Sequence, residues 1–463
     1  MRIPEGLTVE ELLELFDMIY ISQGSGVRFT PINCRCMIVP RKLNWRERVM
    51  NKIQKILPIL IMIIMVYNVQ AEVEIIGNPM LYRYSEPATI SNRIKRVSWD
   101  MYAYNGKIYV GTGDYIGGAS YVPIISFDIN GNFIREFNTI EEELHIFREY
   151  ADILYTPGID PHGAVYKGTL YKRGKNVGWK QLQTIPRAYH LFDIAFDAST
   201  IYITMSGANR SSAVLKSVDG GKIWSGIDGL TDTDASYYRE AIVNNGVLYV
   251  FGADQNSKPC IYRYDTTVDK MLVDYRWGTG QAITHSKVDI WNDELVYMVN
   301  LGGVASLANP KLVVLKKFGD QPQLVDYFKD KSVRDMFIRN GVCYVLTSTE
   351  VGTAHIAVIS ASTDLIKWTG LLQFTLLDKP YSFEMIDGTW FVGVGYRTEH
   401  SGSIYKVGEA TFPIEPSEAP ATRKVFFILK EGVTQEHAMA EVGEVWFDID
   451  DNVLRVGQRK EAK

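Results

Sequence analysis

The chain has 463 residues, 46% of them hydrophobic and 12% aromatic, and a formal charge of −5 at pH 7. A chain of that size and hydrophobicity can bury a large core. Its mildly acidic balance, with no long basic run inside its repeats, is not a nucleic-acid footprint, and no nucleic-acid partner is expected.

Residues 1–49 form an N-terminal extension with one helical stretch. Thr8 and Glu11 are spaced as a capping box ahead of Leu12, Leu13, Leu15, Phe16 and Ile19. Residues 50–71 have the layout of a secretory signal peptide: Lys52 and Lys55, an apolar run from Leu57 to Tyr67, then Val69-Gln70-Ala71 in the shape of a cleavage site. The run is well short of the ~20 residues that span a membrane. Either Met50 is the true start, or the extension is real and the run is a signal anchor. The first is favoured, because signal peptides act at the N-terminus. The mature protein is then expected to be secreted, periplasmic or at the cell surface, without a membrane span.

Residues 72–412 are organised by one repeated signal. Two-residue turns join pairs of short hydrophobic strands at Asn105-Gly106, Ala151-Asp152, Asp197-Ala198, Asn245-Gly246, Asn292-Asp293, Asn340-Gly341 and Asp387-Gly388. Their second positions lie 46, 46, 48, 47, 48 and 47 residues apart. A period of that length in an all-strand pattern predicts an all-β fold, a seven-bladed β-propeller of four-stranded antiparallel blades. Repeat four is the clearest, with strands expected at 239–243, 247–252, 260–264 and 270–275. Repeat seven lacks a clear fourth strand, and Glu72–Tyr84 is expected to pair with it and close the ring. In repeat two, Pro157-Gly158-Ile159-Asp160-Pro161-His162-Gly163 reads as a rigid loop.

A Pro-rich linker at 413–420 (Pro413, Pro416, Pro420) precedes a small β appendage, 421–463. Strands are expected there at Val425–Leu429, Val445–Ile449 and Val453–Val456. The phrase from Gly443 to Val456 resembles short β modules near the ends of phage tail-fibre proteins. Cysteine builds no zinc site: Cys34 and Cys36 have no second pair, and Cys260 and Cys343 fall in repeats that are not neighbours in a ring.

Ser217-Val218-Asp219-Gly220-Gly221-Lys222-Ile223-Trp224 fits the Asp-box, S-x-D-x-G-x-x-W, and Ser362 to Trp368 is a shorter copy in repeat six. Here the chain resembles the Asp-box, sialidase-like propeller superfamily. The resemblance implies a structural role for Ser217, Asp219, Gly221 and Trp224. It also raises glycoside hydrolysis, which in that family uses three arginines, a Tyr nucleophile with a Glu partner and an Asp acid–base. Arg239 and Arg334 occupy matching positions, Tyr238 and Glu240 flank Arg239, and the third arginine is ambiguous among Arg148, Arg187 and Arg397. The family's Arg-Ile-Pro occurs only at Arg2-Ile3-Pro4, where it cannot serve the propeller.

Aligning the repeats on their turns sorts residues by height in the ring. Trp99, His145, His190, Arg239, Ser286, Arg334 and Tyr381 fall near the tops of the inner strands. Asp114, Asp160, His162, Asn209, Arg210, Asp254, Glu350, Arg397 and His400 fall in the loops above. Among these, Trp99, His145, Asp160, His162, His190, Arg239, Arg334, Tyr381 and Arg397 are the ligand-binding candidates, since concave mouths with convergent polar groups bind ligands. His145, His190 and Asp160 could ligate a metal, but three convergent groups are needed, and neither a metal nor another cofactor is expected. The resulting expectation is an exported, non-enzymatic propeller that binds a glycan or a protein at its top face. An Asp-box glycoside hydrolase and a phage tail-associated structural protein are the alternatives.

Overall fold

In the computed structural model the described residues are 73–409, except 82–93, 114–120, 162–166, 208–211, 228–236, 278–286, 301–309 and positions 255, 257, 318 and 397, together with four strands between 424 and 458. The readings on residues 1–71, and on Ser286, Asp114, His162, Asn209, Arg210 and Arg397, lie outside them. No helix among the described residues is long and apolar enough to cross a membrane.

The strands follow the repeats. β1 (Glu74–Gly77) comes first, and repeat one supplies β2 (Asp100–Tyr104), β3 (Lys107–Gly111), β4 (Pro123–Phe127) and β5 (Phe133–Asn138). Repeat two supplies β6 (Glu141–Leu144), β7 (Arg148–Tyr150), β8 (Ile153–Pro161), β9 (Lys167–Gly174) and β10 (Lys180–Pro186). Repeat three supplies β11 (Ala188–Asp197), β12 (Thr200–Gly207), β13 (Ser212–Ser217) and β14 (Ser225–Gly226). Repeat four supplies β15 (Tyr237–Asn244), β16 (Val247–Ala253), β17 (Pro259–Asp265) and β18 (Lys270–Arg276). Repeat five supplies β19 (Val288–Trp291), β20 (Glu294–Asn300), β21 (Pro310–Leu315) and β22 (Gln323–Leu324). Repeat six supplies β23 (Ser332–Arg339), β24 (Val342–Val351), β25 (Ala354–Ser362) and β26 (Thr369–Leu376), and repeat seven supplies β27 (Lys379–Ile386), β28 (Thr389–Gly395) and β29 (Ile404–Glu409).

All pairings within the repeats are antiparallel. Five of the sheets are four-stranded, and one, of nine strands, spans repeats two and three. That larger sheet is two four-strand runs joined at one pair, His190 with Ile159, with β6 added along β8. The turns have the backbone their sequences call for. In six of them both central residues sit at positive φ, as in Asn105 at 50° with Gly106 at 73°, the type I′ geometry that suits right-twisted strands. In repeat three the turn falls one residue later, on Ala198-Ser199, with Asp197 paired to Thr200.

Apolar clusters fill the seam between each sheet and the next. Repeats one and two share Tyr104, Tyr109, Phe147 and Trp179, and repeats six and seven share Leu346, Phe374, Trp390 and Val392. The last repeat packs on the first through Ile386, Phe391 and Ile404 against Met101, Val110 and Phe127. The sheets therefore close into a ring with their first strands innermost, which is a β-propeller. β1 is the outer strand of repeat seven, with Glu74 opposite Lys406 and Ile75 opposite Tyr405, so the first described strand and the last repeat make one sheet.

Several sequence expectations are corrected. Pro157 to Pro161 is strand rather than loop, because β6 pairs Glu141, Glu143 and Leu144 with Pro161, Ile159 and Gly158. Gly158 makes that approach possible: a Cβ there would lie 2.4 Å from Glu141 Cδ. The fourth strands of repeats three and six, expected from the sequence at Lys222–Ser225 and Ile366–Thr369, start only at Ser225 and Thr369, because the turns at 218–223 and 363–367 take up the residues before them. The C-terminal segment holds two hairpins, Lys424–Ile428 with Thr434–Ala438 and Val442–Asp448 with Val453–Gln458, and the strand Thr434–Ala438 was not expected.

Candidate functional site: the channel and its mouth

The inner strands run from the mouth toward the hairpin turns, so their first residues line one opening of the channel. A pocket there is lined by Trp99, His145, Ile146, Phe192, Glu240, Lys287, Arg334, Asp335 and Tyr381. It is small, about 50 Å³, room for about three to five waters. It can seat one substituent of a ligand rather than a whole molecule.

Four of the sequence candidates meet in it: Trp99, His145, Arg334 and Tyr381. The Trp99 ring lies 5.8 Å from that of His145 and 5.3 Å, edge-on, from that of Tyr381. Trp99 Nε1 donates to the Gly113 carbonyl at 2.7 Å, which fixes the indole. His145 Nδ1 lies 2.9 Å from Glu143 Oε1. Arg334 Nε donates to Ser348 Oγ at 2.8 Å. Lys379 Nζ sits 4.9 Å from the Tyr381 ring centroid, a favourable cation–π distance.

His190 and Arg239 stand beside this group rather than in it. Both pack on Phe192, His190 ring to ring at 5.6 Å and Arg239 with its guanidinium 4.7 Å from the ring centroid. Asp160 pairs with His190, Oδ1 to Nε2 at 2.9 Å. No group of three or more His, Cys, Asp or Glu among the described residues could hold a metal. Asp254 serves its own loop, accepting the Asn256 and Lys258 amides at 2.9 and 3.0 Å. Glu350 lies exposed on β24 opposite His355, and His400 lies in the turn before β29.

Sequence reasoning missed what lies below the mouth. Lys287 crosses the channel from repeat five to Asp100 of repeat one and reaches Asp335 of repeat six at 2.9 Å. Burial works against its charge, but the two carboxylates outweigh that and hold its pKa above the ordinary lysine value. Arg148 grips Asp193 through Nε at 3.0 Å and Nη2 at 2.8 Å, and its Nη1 reaches the Val288 carbonyl across the channel at 3.4 Å. Below them lies a cavity of about 240 Å³ whose lining includes Tyr102, Glu149, Asp289, Arg339 and Glu384. The mouth thus has a charged, bonded floor and is a cup.

The inner-strand acids also join neighbouring repeats. Asp100 Oδ2 accepts the Phe147 amide at 2.8 Å, Asp193 Oδ2 the Ala241 amide at 3.0 Å, and Asp289 Oδ2 the Ile338 amide at 2.9 Å. Asp335 Oδ2 accepts Phe383 N at 3.0 Å, and Glu384 Oε2 accepts Ala103 N at 2.9 Å. Each clasp satisfies a buried amide that its own sheet leaves over. A signal for them was present, since an acid recurs in otherwise apolar strands three to five residues before a turn.

Ser217 to Trp224 is a self-contained turn. Asp219 Oδ1 accepts the Lys222 and Ile223 amides, both at 3.0 Å, and the Ser217 hydroxyl at 2.8 Å. The Ile223 amide and the Ser217 hydroxyl pull its pKa below the usual carboxylate value. Gly221 takes φ +87°, and Trp224 Nε1 donates to the Gly221 carbonyl and to Thr184 Oγ1, each at 3.1 Å. The shorter copy repeats this with Ser362, Asp364 and Trp368, and Leu365 takes the positive φ, 57°, that a glycine would take. Neither turn lines the mouth pocket. Cys260 and Cys343 are buried free thiols.

Glu141 is fully buried beside Tyr171, whose hydroxyl lies 3.2 Å away, and burial pushes its pKa up to about 8, well above the ordinary glutamate value. Its stabilising contribution is whole below pH 4.5 and is lost as pH rises through 8, at about 1.4 kcal/mol per pH unit. Glu141→Gln keeps the hydrogen-bonding shape without the ionisation. It is expected to unfold at higher urea than the parent at pH 8 and at the same or lower urea at pH 4.5; parallel pH curves would contradict this.

No protein-family model and no curated protein matches the chain. Among solved structures, it is similar to virginiamycin B lyase from Staphylococcus aureus, at 11% identity and TM-score 0.47 over 73% of this chain and 99% of that one. It is also similar to the WD40 repeats of RRP9, at 9% identity and TM-score 0.47, over 74% of this chain and all of that one. The third is the S511A mutant of puromycin hydrolase, at 10% identity and TM-score 0.47, over 76% of this chain and 60% of that one. These are distant likenesses of form and carry no argument about chemistry.

Proposed function

We propose that the chain is an exported seven-bladed propeller of the Asp-box kind that binds a glycan at its channel mouth without cleaving glycosidic bonds. The observation that carries this reading is the cup: aromatic walls at Trp99 and Tyr381 beside the Arg334 guanidinium, over a floor bonded by Lys287. An aromatic wall stacks on the apolar face of a sugar, and a guanidinium takes its carboxylate or hydroxyls. The small volume suits one sugar substituent entering while the ring rests on the rim. Glycosidic cleavage is disfavoured by Tyr238, which is 2% exposed and packs edge-on against Tyr262 in a seam, away from the mouth.

A glycan array probed with the purified chain tests the reading. Trp99→Ala and Arg334→Ala are each expected to weaken the best-bound glycan about 10- to 100-fold, or ~1.4–2.8 kcal/mol. Retention of no glycan by the parent, or unchanged binding by both variants, would remove the mouth as the site. Mass spectrometry of the exported protein, with Glu72 expected as its first residue, tests the export reading.

A further inference from the structure

We propose that Ser206, His190 and Asp160 form a nucleophilic relay that hydrolyses carboxylic esters at the rim of the mouth. The three side chains come from neighbouring strands of the nine-stranded sheet: Asp160 from β8, His190 from β11 and Ser206 from β12. His190 is the residue at which the two halves of that sheet join, since it pairs both Ser206 and Ile159.

Asp160 Oδ1 lies 2.9 Å from His190 Nε2, and Ser206 Oγ lies 3.0 Å from His190 Nδ1. An ionised carboxylate only accepts, so Nε2 carries the ring proton and donates it toward Asp160. Nδ1 is then left with its lone pair and accepts from the Ser206 hydroxyl. Nucleophile, base and orienting acid stand in one hydrogen-bonded chain, and such a relay is recognised by geometry and roles rather than by chain order.

The surroundings fit those roles. The Asp160 side chain is 11% exposed, while that of His190 is 20% exposed. The acid is screened from water and the imidazole can be reached. Asp160 holds φ at 56° inside an extended strand, a left-handed backbone that a non-glycine residue keeps only when its surroundings impose it. The Phe192 ring lies against His190 and carries the Arg239 guanidinium, which places an apolar wall on the imidazole and a positive charge on the far side of that wall.

In the reaction, Ser206 Oγ attacks the ester carbonyl carbon as its proton passes to His190 Nδ1. Asp160 stabilises the imidazolium through Nε2–H. The tetrahedral intermediate collapses, the bond to the leaving alcohol oxygen breaks, and that oxygen takes the proton from Nδ1. Water then attacks the acyl-serine and gives a proton to His190. The carboxylic acid leaves, and the proton returns to Ser206. The overall balance is ester plus water to acid plus alcohol, with no other reactant. The relay does not depend on what the mouth binds.

The test uses the full chain with a fluorophosphonate probe and p-nitrophenyl acetate. One probe mass is expected on the peptide containing Ser206, with catalytic ester hydrolysis. Ser206→Ala is expected to lose the label and about 10³-fold or more of the rate while keeping the parent's melting temperature. Asp160→Asn is expected to lower kcat about 10²- to 10⁴-fold with KM little changed. The proposal is overturned if the folded parent takes no label, if the label sits on another residue, or if Ser206→Ala hydrolyses the ester as fast as the parent.

Discussion

Replacing Lys287 with methionine is expected to destabilise the propeller by about 3–5 kcal/mol near neutral pH, the range for leaving buried charges without their partner. The Lys287 ammonium is the shared cation of Asp100 and Asp335, which are 2% and 1% exposed. Methionine keeps most of the length and apolar volume, so the loss reports charge rather than a cavity. The sign with pH is fixed by the carboxylates. Burial already lifts Asp335 to about 7, with the Asp100 charge adding to it against the pull of Lys287. Without the lysine Asp335 is lifted further, so the variant loses stability as pH rises and recovers part of it when Asp335 takes up a proton. Urea unfolding at pH 8 and pH 4.5 should show a large gap between parent and variant at the first and a much smaller one at the second. An equal gap at both would mean that Lys287 acts through packing.

Deleting Val73–Gly77 is expected to have a comparable effect by another route. Those residues provide the outer strand of repeat seven, and Ile76 packs into the seam that joins the last repeat to the first. Burial of one isoleucine is worth about 1.5–3 kcal/mol, and each lost backbone pairing about 0.5–1.5 kcal/mol. A total loss of roughly 3–6 kcal/mol follows, with β29 left as an open edge that can pair with other chains. Ile76→Asp should reproduce most of the loss, whereas Ile75→Asp should change little, since Ile75 is 44% exposed. Melting curves and light scattering measure both parts. If the deletion leaves the melting temperature unchanged, the ring does not depend on this closure.

The turns were legible in the chain because Asn-Gly and its relatives tolerate positive φ, and the strands between them because their apolar residues run in short blocks. Repeat four shows this well, its four strands lying within two residues of those expected. β6 was not legible. It spells Glu-Glu-Glu-Leu, and nothing local marks that as a strand. It forms only because β8 offers an edge, and it buries Glu141 and Glu143 to do so. The prolines and glycines of 157–161 hid the other half of the same pairing. At the mouth, alignment on the turns brought Trp99, His145, Arg334 and Tyr381 together, since height in the ring is a property of sequence position. Which side chains bond to one another is not. Asp160 and His190 were both singled out, yet Ser206, which completes their chain of hydrogen bonds, sits in a strand that already carries the hydroxyls of Thr200, Tyr202 and Thr204, where one more draws no notice. Lys287 went unread, and Arg148 was read only as one of three choices for a third arginine, for a related reason. Each has one partner in the next repeat, Asp335 for Lys287 and Asp193 for Arg148, and a second across the channel, Asp100 and the Val288 carbonyl, and no local motif marks which of these side chains bond.

The carboxylate clasps and the cross-channel cations place different limits on how such a ring could change size. Every clasp points the same way around the circle, from one repeat to the next in chain order, and Glu384 returns to Ala103. Duplicating or losing one whole repeat would leave such clasps in register, because each needs only a successor. The reach of Lys287 to Asp100 has no such indifference, since it spans the bore at a fixed width. A ring with one repeat more would be wider and would pull that pair apart. One set of bonds gives the circle a handedness, and the other gauges its diameter.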